Sequence, residues 1–261
     1  MSVFSIFPRY AIAFVVCVGL ASGCARRTSG PAAQAPSSVA GLASDGSAAS
    51  GPAAGVPIEC PLHKAGVDPT HLKPFEDTEK YIAFLERPDR AIWQKPDDVV
   101  RALHLTGNEV VADVGAGSGY FTFRFAAALP QGRVVAIDIE PEMIRHIHHK
   151  AMTEGIHNVE PVLTSAEDPK VPASADIVFL CDVLHHVSDR KAWLSRLHDE
   201  MKTGARLVLV EFKEGDLPEG PPAALKIPRD EMVSLVQGSG FVLAGEEKDL
   251  LPYQSLLVFR K

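Results

Sequence analysis

The sequence predicts an α/β domain of the doubly wound kind, and three observations carry that expectation. An apolar, Val-rich run from Val110 to Val114 is followed by a glycine cluster, and then by a segment, Tyr120 to Leu129, that reads as a helix stopped by Pro130. A second such run, Arg133 to Ile139, carries a carboxylate, Asp138, at its end. Strand-like and helix-like segments then alternate through the remaining chain, the pattern of a mostly parallel sheet covered by helices on both faces.

The chain opens differently. Arg9 precedes an apolar run from Tyr10 to Leu20, too short to cross a bilayer and of the length of a signal-peptide core. It ends in Leu20-Ala21-Ser22-Gly23-Cys24, which resembles a bacterial lipoprotein box, although Ala21 stands where leucine is usual. The expected outcome is loss of residues 1–23, a lipid on Cys24 and anchoring in the bacterial cell envelope. Secretion as a soluble periplasmic protein is the alternative. Residues 24–57 are mostly Ala, Gly, Ser and Pro, cannot bury a core, and read as a flexible tether with a mean span of about 30 Å.

Residues 58–105 are expected to form a helical cap segment. Phe75 to Leu85 and Pro96 to Leu105 read as helices. Between them, Arg87 to Pro96 places Trp93 and Gln94 inside two bracketing prolines, a composition for a rigid ordered segment. These two residues either close over a ligand or, in the case of Trp93, anchor the segment to the core.

From residue 106 to 261 the elements follow one another as a single domain. After the second strand, Pro141 sits at a first helical position and Met143, Ile144 and Ile147 supply an apolar face. Asn158 to Leu163 is the third strand and Ala175 to Leu180 the fourth. Ser188 or Asp189 caps a helix carrying Trp193, Leu194 and Leu197, closed by Gly204. Ala205 to Phe212 is the fifth strand, Pro228 starts another helix, and Phe241 to Ala244 and Gln254 to Arg260 are the last two strands. The Pro- and Gly-rich stretch from Gly215 to Pro228 lies where a lid could line a substrate pocket.

The glycine spacing selects among ligands. Glycines at a strand-to-helix turn let the backbone approach a ligand, and the helix N-terminus offers free N–H groups. A dinucleotide fingerprint needs a third small residue where this chain has Tyr120. The motif present is Asp113-x-Gly115-x-Gly117-x-Gly119, and an acid directly before the glycines suits an ammonium group better than a pyrophosphate. Here the chain resembles the class I S-adenosylmethionine-dependent methyltransferases, over roughly residues 90–261. The resemblance implies a seven-stranded, Rossmann-like, mostly parallel sheet with the last strand antiparallel, and S-adenosylmethionine as cofactor. Asp138, 23 residues after Gly115, takes the ribose hydroxyls and Ile139 packs on adenine. Relatives carry an acid before the alanine of Ser165-Ala166-Glu167. This chain has Ser165 there, so Glu167 or backbone groups take over that contact.

Cys181, Asp182, His185 and His186 leave the fourth strand where the ligand crevice of such a sheet lies. Cys181 is expected beside the cofactor and Asp182 toward its sulfonium end. His186, and after it His185, is the candidate base for an acceptor that must lose a proton. The alternative role for either imidazole is a hydrogen bond to the loop. His146, His148 and His149 lack zinc-like spacing and are expected on a solvated helix face, so no metal site is predicted.

The net charge of −7 is spread without a block of Lys or Arg, which argues against a nucleic-acid partner; the expected acceptor is a small molecule or an envelope component. Four cysteines, two of them in or directly after the signal, make no disulfide framework. Two rival functions stay open: a nicotinamide-dependent oxidoreductase, and a non-catalytic binding lipoprotein that keeps the fold. The acceptor and the oligomeric state are not legible.

Overall fold

The computed structural model describes residues 61–67 and 75–261. The expected signal segment, the tether and the lipid-acceptor Cys24 lie outside the described residues. Among the described residues, four helices precede the sheet: α1 (Pro61–Lys64), α2 (Phe75–Leu85), α3 (Arg90–Gln94) and α4 (Pro96–Ala102). The sheet contains β1 (Val110–Val114), β2 (Arg133–Asp138), β3 (Val159–Leu163), β4 (Ile177–Cys181), β5 (Arg206–Phe212), β6 (Val242–Glu247) and β7 (Gln254–Arg260). Between the strands run α5 (Thr122–Ala128), α6 (Pro141–Glu154), α7 (Arg190–Glu200) and α8 (Arg229–Gln237).

The seven strands lie in the order β3-β2-β1-β4-β5-β7-β6. Pairings from β3 across to β5 are parallel, and β7 runs antiparallel to both β5 and β6. The chain reverses direction of growth between β1 and β4, which opens a crevice at their carboxyl ends. Central strands are buried on both faces, so β4 reads as a continuous apolar run and β1 as one interrupted only by Asp113. On one face Leu180, Leu207, Leu209 and Leu257 pack with Trp193 and Leu197 of α7 and Val236 of α8. On the other, Phe179 meets Phe121 and Phe125 with ring centroids 4.8 and 4.9 Å apart. Each such side chain contributes about 1.5–3 kcal/mol on burial.

Several boundaries differ from expectation. The helix after the glycine cluster starts at Thr122, because Gly117 and Gly119 hold left-handed backbone and Tyr120 and Phe121 complete the turn. β2 stops at Asp138, leaving Ile139 outside the sheet. α7 ends at Glu200 and not at Gly204, whose φ of +81° instead turns the chain into β5. α4 ends at Ala102, and β6 runs on to Glu247 through a bulge between Leu243 and Gly245. The segment between the prolines contains a short helix, α3. Lys95, in left-handed conformation, ends α3 and starts α4 with Pro96 at its first turn.

Candidate active site

The glycine turn is built by backbone constraint. Gly115, Gly117 and Gly119 have φ of +71°, +56° and +82°, a region that L side chains rarely adopt. The N–H groups of Gly115 and Ala116 donate to Ile137 O at 2.8 and 3.1 Å, which ties the turn to β2. A Cβ on Gly115 would lie 2.3 Å from Val183 Cγ2, so the residue after Asp182 packs directly on the turn.

Asp138 is held where β2 ends. Its Oδ2 accepts from the Gly117 N–H at 2.7 Å and its Oδ1 from the Glu140 N–H at 2.9 Å. Burial pushes its carboxyl upward, against those hydrogen bonds. Ile139 beside it is 51 % exposed, an apolar side chain presented at the crevice. Ser165, Ala166 and Glu167 sit exposed on the turn after β3. That turn is joined to Asp138 through the Thr164 N–H, 3.0 Å from Asp138 O.

Asp113 lies beneath the turn. It is 3 % exposed, and its Oδ2 accepts from the Thr122 hydroxyl at 2.6 Å. Burial raises its carboxyl from 3.8 to about 7, with the Thr122 bond opposing. The folded protein therefore binds this proton more tightly than the unfolded chain does. The neutral carboxyl's share of stability is fully present below about pH 4 and is lost as pH rises through about 7. Asp113→Asn keeps an acceptor for Thr122 and should be more stable than the parent at pH 8, by on the order of 1–4 kcal/mol, with little change at pH 4. Urea unfolding at the two pH values checks this. An equal pH dependence in both proteins removes Asp113 as its source.

The carboxyl end of β4 carries the densest polar arrangement. Asp182 has φ of +59°, a strained conformation for a non-glycine residue. Its Oδ1 and Oδ2 accept from Gln254 Nε2 at 2.7 and 2.9 Å, and Oδ2 accepts from Gln94 Nε2 at 3.3 Å. Gln94 also donates to Gln254 Oε1 at 3.2 Å and lies 3.1 Å from Cys181 Sγ. Burial, and then repulsion from Glu211, raise Asp182 to about 7, while burial and the Asp182 charge push the Cys181 thiol up.

His185 and His186 follow in a single 3-10 turn, Leu184–His186. His185 is 8 % exposed, and its Nδ1 lies 2.8 Å from Glu211 Oε2. Glu211 Oε1 accepts from the Leu184 N–H at 2.6 Å. Burial alone would lower His185, but the Glu211 hydrogen bond and charge outweigh it and raise the imidazole. His186 is exposed, its ring centroid 4.1 Å from that of His185, and burial and the neighbouring imidazole lower it.

All thirteen residues singled out in the sequence lie on the carboxyl edge of the sheet, but direct contacts join them in separate groups. Asp138 and Gly117 form one, Cys181 and Asp182 another, and His185 and His186 a third. The side chains of Ser165 and Glu167 make no hydrogen bond to these groups, and Ala166 has none to offer. Glu211, Gln254 and Arg90 were missed. A lone acid in the otherwise apolar run from Leu207 to Phe212 was a usable signal for Glu211, whereas nothing local marks Gln254. Trp93 is buried against Phe212 and Tyr253, with ring centroids 5.6 and 6.2 Å away, and so anchors the segment, while Gln94 enters the crevice. The histidines of α6 do not form the expected solvated face. Only His149 is exposed, whereas His146 and His148 are half-buried, and His146 Nε2 lies 3.9 Å from Glu86 because α2 ends against this helix.

Residues 112–207 match the family model described as a methyltransferase domain. The chain is 34 % identical over 137 residues to a tRNA U34 carboxymethyltransferase of Desulfotalea psychrophila and 30 % identical over 100 residues to a malonyl-[acyl-carrier protein] O-methyltransferase of Hahella chejuensis. These alignments take in 51 % and 38 % of this chain, which spans only 40 % and 34 % of those relatives' own lengths. A solved S-adenosylmethionine-dependent methyltransferase from Aquifex aeolicus has the same fold, with a TM-score of 0.65 at 23 % identity, over 69 % of this chain and 96 % of that one. The chain thus shares the Rossmann-like fold of the Aquifex enzyme, and residues 112–207 are similar to a methyltransferase domain, a similarity that points to S-adenosylmethionine as cofactor. The residues present fit that cofactor: an open glycine turn, a buried Ser118 hydroxyl within it that lacks a protein partner, Asp138 at the turn and Ile139 exposed beside it.

Proposed function

We propose that the protein transfers a methyl group from S-adenosylmethionine to a small-molecule acceptor, with His185 as the base. When bound, the cofactor supplies a sulfonium methyl already activated for attack, so the protein's task is chiefly alignment. The observation that carries the base assignment is the buried His185–Glu211 pair. Glu211 occupies Nδ1 as its hydrogen-bond acceptor, which leaves Nε2 as the nitrogen able to take a proton from an acceptor hydroxyl or amine. His186, ranked first from the sequence, has no such partner and is the weaker candidate.

A small acceptor is supported by two features. The chain is acidic, with no basic stripe for a polynucleotide. Residues 85–94 also cover the crevice, where the Arg87 guanidinium pairs with Glu219 of the stretch after β5. Titration calorimetry of the protein with S-adenosylmethionine and with NADPH tests the reading. Binding of NADPH alone would establish the oxidoreductase, and cofactor binding without S-adenosylhomocysteine release in any acceptor pool would establish the binding lipoprotein.

The location proposed from the N-terminal sequence is the cell envelope, by way of a lipidated Cys24. Cys24→Ser should move the protein out of the membrane fraction. Mass spectrometry of the native N-terminus gives the decisive reading, and an unmodified Met1 or Ser2 would end the proposal.

A further inference from the structure

Arg90 of α3 stands in the crevice although no glycine or strand-end motif points to it. Its Nε donates to Gln94 Oε1, its Nη1 donates to Leu85 O at 2.6 Å, and its guanidinium carbon lies 4.1 Å from the centroid of the Tyr120 ring. These contacts bracket its position. Leu85 Cδ1 comes within 3.4 Å of the place a Cβ would take on Gly117. Gln94, one turn beyond Arg90, reaches Cys181 and Asp182. The guanidinium therefore sits between the glycine turn and the carboxyl end of β4, and Asp113, Cys181 and Asp182 all sense its charge. A guanidinium has five N–H donors, and the hydrogen bonds described use two.

The strand ends around it carry Asp113, Asp138 and Asp182. Such a crevice suits the sulfonium and ammonium groups of S-adenosylmethionine and repels its carboxylate. A planar, permanently charged fork is the side chain that recognises a carboxylate with two parallel hydrogen bonds. On the cofactor assignment made above, we propose that Arg90 binds the carboxylate of the cofactor's amino-acid end. Residues 85–94 are then part of the cofactor site. The competing role for Arg90 is neutralisation of Asp113 and Asp182 in the fold.

The test compares two ligands, S-adenosylmethionine and 5′-methylthioadenosine, which lacks the amino-acid end. Calorimetry with Arg90→Met should show S-adenosylmethionine affinity reduced about 10- to 100-fold, the range for a lost hydrogen bond to a charged group, and 5′-methylthioadenosine affinity essentially unchanged. Arg90→Lys should recover part of the loss. Equal losses for both ligands, or no loss for either, overturn the proposal. The unmutated protein supplies a second reading that does not depend on a variant folding: it should prefer S-adenosylmethionine over its decarboxylated form by about tenfold or more. Equal affinities there overturn the Arg90 assignment alone, whereas failure of the unmutated protein to bind either adenosyl ligand overturns the cofactor assignment itself.

Discussion

Exchanging His185 for Asn should lower the rate of methyl transfer by about 10²- to 10⁴-fold, the usual share of a positioned base, with cofactor affinity changed by less than about threefold. The expectation rests on the buried pair with Glu211, which fixes the tautomer and orientation of the ring. The pH profile gives a sharper readout than the rate. His185 must be neutral to accept a proton, and Glu211 holds its pKa above the ordinary value, so activity should rise with pH through that raised pKa. Glu211→Gln preserves acceptors for Leu184 and His185 but removes the charge, which should shift the rising limb to lower pH. An unshifted limb would show that another group titrates. Glu211→Ala is the harsher change: it strands a buried imidazole and a backbone N–H and should destabilise the fold by about 3–5 kcal/mol.

Gly115→Val should abolish cofactor binding, with affinity falling at least about 100-fold. A non-glycine residue in this conformation costs about 1–3 kcal/mol. The added Cβ would also stand 2.3 Å from Val183 Cγ2, so either the turn or the segment carrying Asp182 must shift. Both outcomes misplace crevice groups. Gly155→Val is the matched control, because φ there is +66° and nothing lies within 4 Å of the added Cβ. It carries the backbone cost without the collision and should leave binding intact. If calorimetry shows the two variants binding alike, close approach at Gly115 is not what the turn provides. Gly117 is the milder position, since its Cβ would meet only Leu85 Cδ1 at an ordinary 3.4 Å.

The parts of the site that were legible are those set by short-range constraint. Gly115, Gly117 and Gly119 announce positive φ, and Asp138 announces the end of an apolar strand at the spacing a ribose site requires. Their meeting follows from β1 and β2 being parallel neighbours, paired from Val110 and Arg133 to Val114 and Ile137. Glu211 was half legible, as the acid in Arg206 to Phe212, but its partner was not. His185 lies 26 residues away, and only the parallel register of β4 on β5, with Cys181 opposite Val210, brings the two strand ends together.

By itself, then, the sequence determined the alternation of strands and helices, the glycine turn after β1 and the acidic residues at the strand ends. These depend on apolar periodicity, proline and glycine backbone preferences, and residue types at strand ends, all of which act within a few residues. Tertiary structure alone decided the remainder. It placed Gln254, at the start of the last strand, against Asp182, laid residues 85–94 over the glycine turn with Arg90 inside, and gave the buried carboxylate partner to His185 rather than His186. Those choices arise from antiparallel insertion of β7 beside β5 and from packing of Trp93 on Phe212 and Tyr253. Contacts of that kind join residues up to 160 positions apart, and no local propensity encodes them.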